Sequence, residues 1–219
     1  MNYEQARFNM VEQQIRTWEV LDQRVLDVIS RTPREAFVPP EHRALAFADT
    51  NIPLGNGQVM MRPNVEGRLL QALDIQESDI VLEVGTGSGY LTACLAQLAK
   101  HVYSVDIFPD FIERAGINLT AQAINNITLS QGDASATWGD RPEYDVIAVT
   151  GSLPVLPDSY KRLLAPNGRL FVIVGDESLP VMEAWLITRV SEQHWTGESL
   201  FETSIPPLIN AVKPKTFVF

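Results

Sequence analysis

The sequence predicts an α/β fold: a Rossmann-like, mostly parallel sheet covered by helices, with antiparallel strands at one edge and a helical N-terminal extension. Three observations carry this expectation. From residue 79 short apolar runs alternate with amphipathic stretches, as strands joined by crossover helices require. A glycine-rich turn, Val84-Gly-Thr-Gly-Ser-Gly89, closes the first of these runs. The tail reads as successive strands with no helix between them.

Taken in order, Asp22 is placed to cap a helix with Val25, Leu26 and Ile29 at amphipathic spacing. Pro33, Pro39 and Pro40 break the following stretch into short pieces. Residues 48–63 hold two glycines and two prolines and read as a long loop, a kind of segment that is often functional inside a compact domain. Pro63 suits the first turn of a helix through Leu69, Leu70 and Leu73. Asp79–Glu83 is the next strand, followed beyond the glycine turn by a helix carrying Leu91, Leu95 and Leu98. Val102–Val105 is the second strand of this region and ends at Asp106. A helix from Phe111 to Ala123 leads to a third strand at Ile127–Ser130. Tyr144–Val149 and Arg169–Val174 are the fourth and fifth, the latter after an Asn167-Gly168 turn. Met182–Val190 and Ser199–Phe219 read as β-rich, with a hairpin-like turn near Gly197. Residues 1–78 should thus form a helical segment and loop packed on an α/β core of 79–219, together one domain.

Composition narrows the function. The 219 residues carry 17 Lys+Arg against 27 Asp+Glu, a net charge of −10, and are 45% hydrophobic. A chain this apolar is not a disordered tail. A single cysteine, Cys94, excludes an internal disulfide scaffold. The acidic balance argues against bulk nucleic-acid binding, which needs clustered Lys and Arg. No apolar run approaches the ~20 residues that cross a bilayer, and residues 1–16 show no basic-then-apolar targeting pattern. A cytoplasmic location is expected. His42, His101 and His194 are scattered, and no cluster has metal-ligand spacing, so no metal is expected.

The sharpest local signal is Glu83-Val-Gly85-Thr86-Gly87-Ser-Gly89-Tyr90. In doubly wound sheets ligands bind at the carboxyl ends of the strands, near the switch point. A dinucleotide fingerprint reads G-x-G-x-x-G and cradles a pyrophosphate. Here the third glycine comes one residue early, and Glu83 stands two residues before the first. An acid suits a ligand with positive charge, such as the amino and sulfonium groups of S-adenosylmethionine. Asp106, with Ile107 beside it, ends the second strand 23 residues after Glu83, a spacing suited to accepting hydrogen bonds from a ribose diol. Asp133, with Ala134, follows the third strand and can edge the adenine. Thr150-Gly151 closes the fourth strand at the same rim. Four strand ends thereby point to an adenosine-type cofactor, S-adenosylmethionine in particular.

Several segments together resemble the protein-L-isoaspartate O-methyltransferase family along nearly the whole chain. They are Met10-Val-Glu-Gln-Gln-Ile15, Thr32-Pro-Arg-Glu-Ala-Phe-Val-Pro39, Ala48-Asp49 with Ile52-Pro-Leu-Gly55, Gly57-Gln58, Val81–Tyr90 and Gly132-Asp133. The resemblance implies a class I methyltransferase fold and S-adenosylmethionine held at Glu83, Gly85, Gly87, Gly89, Asp106 and Asp133. It also implies methyl transfer to the abnormal carboxylate of isoaspartyl residues. One segment departs. After Gly-Gln the family typically reads Thr-Ile-Ser, with the serine as the catalytic position, whereas this chain reads Val59-Met60-Met61. Methylating a carboxylate needs no general base, because the acceptor is ionised at neutral pH with a reference pKa of ~4. Catalysis then lies mainly in positioning, and Met61 cannot donate the hydrogen bond a serine would.

The loop therefore predicts an acceptor site at Gln58, Val59, Met61 and Arg62 that is more apolar, with Arg62 gripping an anionic group. The simpler alternative is that the methionines fill gaps in the core and Arg62 is a solvated charge. The acceptor is expected to be a carboxylate or other oxygen on a protein, peptide or small molecule, with isoaspartyl repair itself set in question by the loop. Genuine isoaspartyl repair through a divergent loop and a non-catalytic S-adenosylmethionine-binding module are the alternatives.

Overall fold

The structure, a computed structural model, describes residues 2–139, 143–176 and 180–213. Asn2 caps α1 (Tyr3–Met10), its side chain accepting from the Gln5 amide at 3.2 Å. The chain continues through a widened turn at Val11–Ile15 and a tight one at Arg16–Trp18. Asp22 caps α2 (Gln23–Arg31), accepting from the Arg24 amide at 2.8 Å, and Val25, Leu26, Val28 and Ile29 form its buried face. The prolines then confine the backbone to single helical turns at Arg34–Ala36 and Pro40–Leu45. Pro63 opens α3 (Pro63–Leu73) as expected of a residue that lacks an amide donor.

Residues 48–63 are not the irregular loop that their composition suggests. They contain a hairpin of β1 (Ile52–Gly55) and β2 (Gln58–Met60). Asn56 and Gly57 both adopt positive φ, +53° and +71°, the backbone that Asn-Gly favours in a tight hairpin turn. The turn matters to function because it aims Gln58 and Val59 at the sheet.

The main sheet has seven strands in the order β5-β4-β3-β6-β7-β8-β9. They are β3 (Ile80–Val84), β4 (His101–Asp106), β5 (Ile127–Gln131), β6 (Tyr144–Leu153), β7 (Leu164–Val174), β8 (Met182–Ser191) and β9 (His194–Thr203). The first five are mutually parallel, and β8 and β9 add antiparallel to one edge. Crossovers α4 (Tyr90–Leu98) and α5 (Pro109–Ala121) carry the chain outward from β3, and α6 (Asp158–Arg162) joins β6 to β7. In α4 every residue but Gln97 is buried, so its apolar side chains contribute about 1.5–3 kcal/mol each for the larger ones. One buried cluster runs from Met10 and Ile29 through Leu69 and Leu95 to Ile205, joining the N-terminal helices to the sheet.

The tail departs from expectation at its turn. The reversal between β8 and β9 falls at residues 192–193, while Gly197 sits inside β9 opposite Ile187. A Cβ there would lie 3.2 Å from Ile187 Cδ1 and 3.5 Å from the Trp185 ring, so this glycine serves close packing rather than a turn. Among the described residues strand structure also ends at Thr203, apart from a single bridge between Ser152 and Pro207. Pro206 and Leu208 then hydrogen-bond to Ser152 and return the chain to the end of β6. The expected strand residues 214–219 lie outside the described residues.

Candidate cofactor crevice

Successive strands leave β3 in opposite directions, so β3 and β6 flank the switch point at which an open α/β sheet forms a crevice. The crevice is there as an open cleft, about 550 Å³ when the solvent at its mouth is included. It is walled by the ends of β3 (Gly85, Gly87), β4 (Asp106, Ile107), β5 (Gly132, Asp133, Ala134) and β6 (Thr150, Gly151). Gln58 and Val59 of the hairpin face it, and Leu208 and Ile209 of the returning tail close another side.

Glycine is required at two places on this wall. Gly85 has φ +100°, and a Cβ would meet Thr150 Oγ1 at 2.2 Å. That hydroxyl is within hydrogen-bonding distance of both the Val84 and Gly85 carbonyls, at 2.9 and 2.7 Å, and clamps β3 to β6. At Gly132 a Cβ would lie 2.4 Å from the Trp138 ring, which packs against the cluster that holds Leu82, Val84 and Ala134. Gly89 is further back. It caps α4 at φ +83° and lets α5 approach, with Ala115 Cβ 3.0 Å from where its own Cβ would stand.

Asp106 accepts from the Gly87 amide at 2.9 Å and the Phe108 amide at 3.0 Å, one bond to each oxygen. Burial raises its pKa and these amides pull the other way. Each oxygen keeps lone pairs for a ligand. Asp133 accepts from the Ser135 amide at 2.9 Å and Asn210 at 2.8 Å, and these bonds hold its carboxyl below the usual range. Ala134 is fixed by its carbonyl, which accepts from the Tyr160 hydroxyl.

Glu83 is placed differently from the sequence expectation. It is fully buried and does not line the crevice. Its Oε2 accepts from Thr92 of α4 at 2.5 Å and from Ser104 of β4 at 2.6 Å, and Ser104 in turn lies 2.6 Å from Thr86. Glu83 therefore acts on the glycine loop through Ser104 and Thr86. Burial pushes it up to about 8. Alternation along β3 explains the difference, since Leu82 and Val84 belong to one face of the sheet and Glu83 to the other, under α4.

A smaller compartment, about 300 Å³ when open solvent is included, adjoins the crevice and shares Leu54, Val59, Gly85, Gly87 and Thr150 with it. Met60, Met61, Ser88, Leu91 and Glu66 complete its wall. Met60 and Met61 are thus both core residues and wall residues, each 4% exposed. Arg62 is not there. Its guanidinium lies 5.9 Å from the Trp18 ring and 3.4 Å from Thr203 Oγ1, which removes the grip on an anionic group expected of it. Pro63 directs the chain into α3 at this point, turning Arg62 toward the N-terminal helices.

Two residues that sequence reading did not single out are central. Arg34 is fully buried, donating to Ala46 O at 2.8 Å, to Met61 O at 2.5 Å and to Glu66 Oε2. Glu66 is 3% exposed and pushed by burial up to about 7 against the pull of Arg34. The only sequence signal for either was Arg34 within Pro-Arg-Glu. Cys94 is buried and its thiol is pushed up to about 12, which makes it inert. Among the described residues no cluster could hold a metal ion and no helix is long and apolar enough to cross a membrane.

Comparison with known proteins agrees with this geometry. The family model for protein-L-isoaspartate(D-aspartate) O-methyltransferase matches residues 5–203. A protein-L-isoaspartate O-methyltransferase of Protochlamydia amoebophila is 38% identical over 200 residues, covering 91% of this chain and 95% of that relative. One from Aeropyrum pernix is 39% identical over 184 residues, 82% of this chain and 71% of the relative. The fold is shared with a Plasmodium falciparum beta-aspartate methyltransferase in complex with S-adenosyl-L-homocysteine, at TM-score 0.80, 19% identity and coverage of 95% and 98%. With its strand order, glycine loop and crevice in place, the chain belongs to the protein-L-isoaspartate(D-aspartate) O-methyltransferase family.

Proposed function

We propose that the crevice holds S-adenosylmethionine and that the chain transfers its methyl group to a carboxylate or other oxygen on a protein, peptide or small-molecule acceptor. The observation that carries this reading is the lining: two carboxylates, Asp106 and Asp133, and no Lys or Arg among the described residues. A pyrophosphate cofactor would leave its charge uncompensated there, whereas a ribose diol and an exocyclic amine each find an acceptor. Asp106 would hold the ribose, Asp133 and Ala134 the adenine edge, and Gly85–Gly87 with Thr150 the methionyl portion. When bound, the cofactor supplies an electrophilic methyl group.

The chain's own work is positional. An ionised carboxylate needs no base, so the walls at Gln58, Val59, Met60 and Met61 would orient the acceptor and exclude water. Relatives named for protein-L-isoaspartate make a protein or peptide the favoured acceptor. The methionines, which offer no hydrogen-bond donor, favour an acceptor other than isoaspartate. A cytoplasmic location is part of the same proposal.

The test is transfer of radiolabelled methyl from S-adenosylmethionine to an isoaspartyl peptide by wild type and by Met61→Ser. Weak transfer by wild type that rises in M61S supports the altered acceptor. Wild-type transfer that M61S leaves unchanged favours true isoaspartyl chemistry through a divergent loop. Cofactor binding with no transfer to any protein of a cell extract favours a binding module.

A further inference from the structure

The sequence called for an acid beside the glycine loop to meet a positively charged ligand group, and Glu83 does not occupy that place. Another acid does. Glu66 enters from the first turn of α3 and lines the smaller compartment together with Gly85, Thr86, Gly87 and Ser88. Its Oε2 is paired with Arg34, while Oε1 receives no hydrogen bond among the described residues. Glu66 is 3% exposed, and what accessible surface it keeps lies on a compartment otherwise walled largely by Leu54, Val59, Met60, Met61 and Leu91.

Glu66 Oε1 is open to a donor that enters the compartment, whereas the wholly enclosed carboxyl oxygens without partners among the described residues are Glu35 Oε2 and Glu83 Oε1. Arg34 donates to Oε2 alone, its other two nitrogens being directed to the Ala46 and Met61 carbonyls. No Lys or Arg among the described residues lines the compartment. A ligand group that complements this oxygen must be a hydrogen-bond donor, and a charged donor makes the stronger bond.

We propose that Glu66 binds the ammonium group of the cofactor's amino-acid tail, so that the positive end of the ligand is read by α3 and not by β3. The assignment rests on the cofactor reading above. It makes the buried Arg34–Glu66 pair a positioning device: Arg34 holds one oxygen still and presents the other to the ligand. The carboxylate that completes the tail has no partner on this wall and would face the crevice opening.

Calorimetric titrations separate the two levels of inference. The probes are S-adenosylhomocysteine, which keeps the ammonium and lacks the sulfonium charge, its deaminated analogue, and 5′-methylthioadenosine, which has no amino-acid tail. Wild type should bind S-adenosylhomocysteine about 10–100-fold more tightly than the deaminated analogue, the range of one charged hydrogen bond. Glu66→Gln, which can still accept from Arg34, should remove most of that preference while leaving methylthioadenosine within twofold (about 0.4 kcal/mol). Equal affinity of wild type for the first two ligands overturns the role of Glu66, whether or not the variant folds. Preference that survives in E66Q, or equal loss of all three ligands, also overturns it. Failure of wild type to bind any of the three refutes instead the cofactor reading on which it rests.

Discussion

Arg34→Met removes a guanidinium from a site with no access to water. Its three nitrogens serve three segments, the turn ending at Ala46, the loop at Met61 and α3 at Glu66, and its guanidinium carbon lies 4.6 Å from the centre of the Tyr90 ring. Methionine refills much of the volume but leaves two carbonyls and a carboxyl without donors. Each orphaned group costs about 1–3 kcal/mol, and breaking one side of a buried ion pair costs about 3–5 kcal/mol. Glu66 limits its own share. Burial already raises it to about 7 with Arg34 beside it, so without the arginine it takes up a proton instead of remaining charged. The expected loss is therefore about 3–5 kcal/mol for the site as a whole. Urea unfolding should show a lower midpoint at unchanged slope. Arg34→Met with Glu66→Leu should be about 1–3 kcal/mol more stable than Arg34→Met alone, because no carboxyl remains to be buried. A single variant within about 1 kcal/mol of wild type, or a double variant less stable than the single, refutes the brace.

Three further outcomes follow from the same geometry. Gly85→Ala should lose about 2–4 kcal/mol from its positive φ and the collision with Thr150 Oγ1, and Thr150→Ala should recover part of that in a double-mutant cycle read by urea unfolding; additive losses would contradict the contact. Glu83, raised to about 8 from 4.5, keeps its proton in the folded chain over a pH range where the unfolded chain has released it. Folding stability should thus fall as pH rises between those values, by up to about tenfold in the equilibrium per unit, and Glu83→Gln should reduce that slope in unfolding curves taken from pH 5 to 8, leaving the part that Glu66, raised to about 7, contributes. Cys94 should resist a thiol reagent in the native protein and react fully in urea; rapid native labelling would show that the α4 interface opens.

The parallel core was legible because its signals are periodic and local. The runs at Val81–Glu83, Val102–Val105 and Tyr144–Val149 could only be buried strands, and the Gly85-x-Gly87-x-Gly89 turn marked where the ligand crevice opens. Asn56-Gly57 carried an equally local hairpin signal, overlooked among the prolines and glycines around it. Gly197 misled in the opposite sense, since a glycine in a strand can serve close packing as well as a turn. The roles of Glu83, Arg62, Arg34 and Glu66 were not local at all. Which side of β3 meets α4, and which way α3 leaves Pro63, depend on how the N-terminal helices pack on the sheet. The tail's return to Ser152, which brings Leu208 and Ile209 to the crevice, is likewise a contact between residues far apart in sequence.

The central claim is that the β3–β6 crevice is a S-adenosylmethionine site. A crystal structure of the chain with S-adenosylhomocysteine tests it most directly. The account predicts adenine beside Asp133 and Ala134, the ribose hydroxyls on Asp106, and the tail running past Gly85–Gly87 toward Glu66. Density for the ligand elsewhere, or a ribose turned away from Asp106, would contradict it.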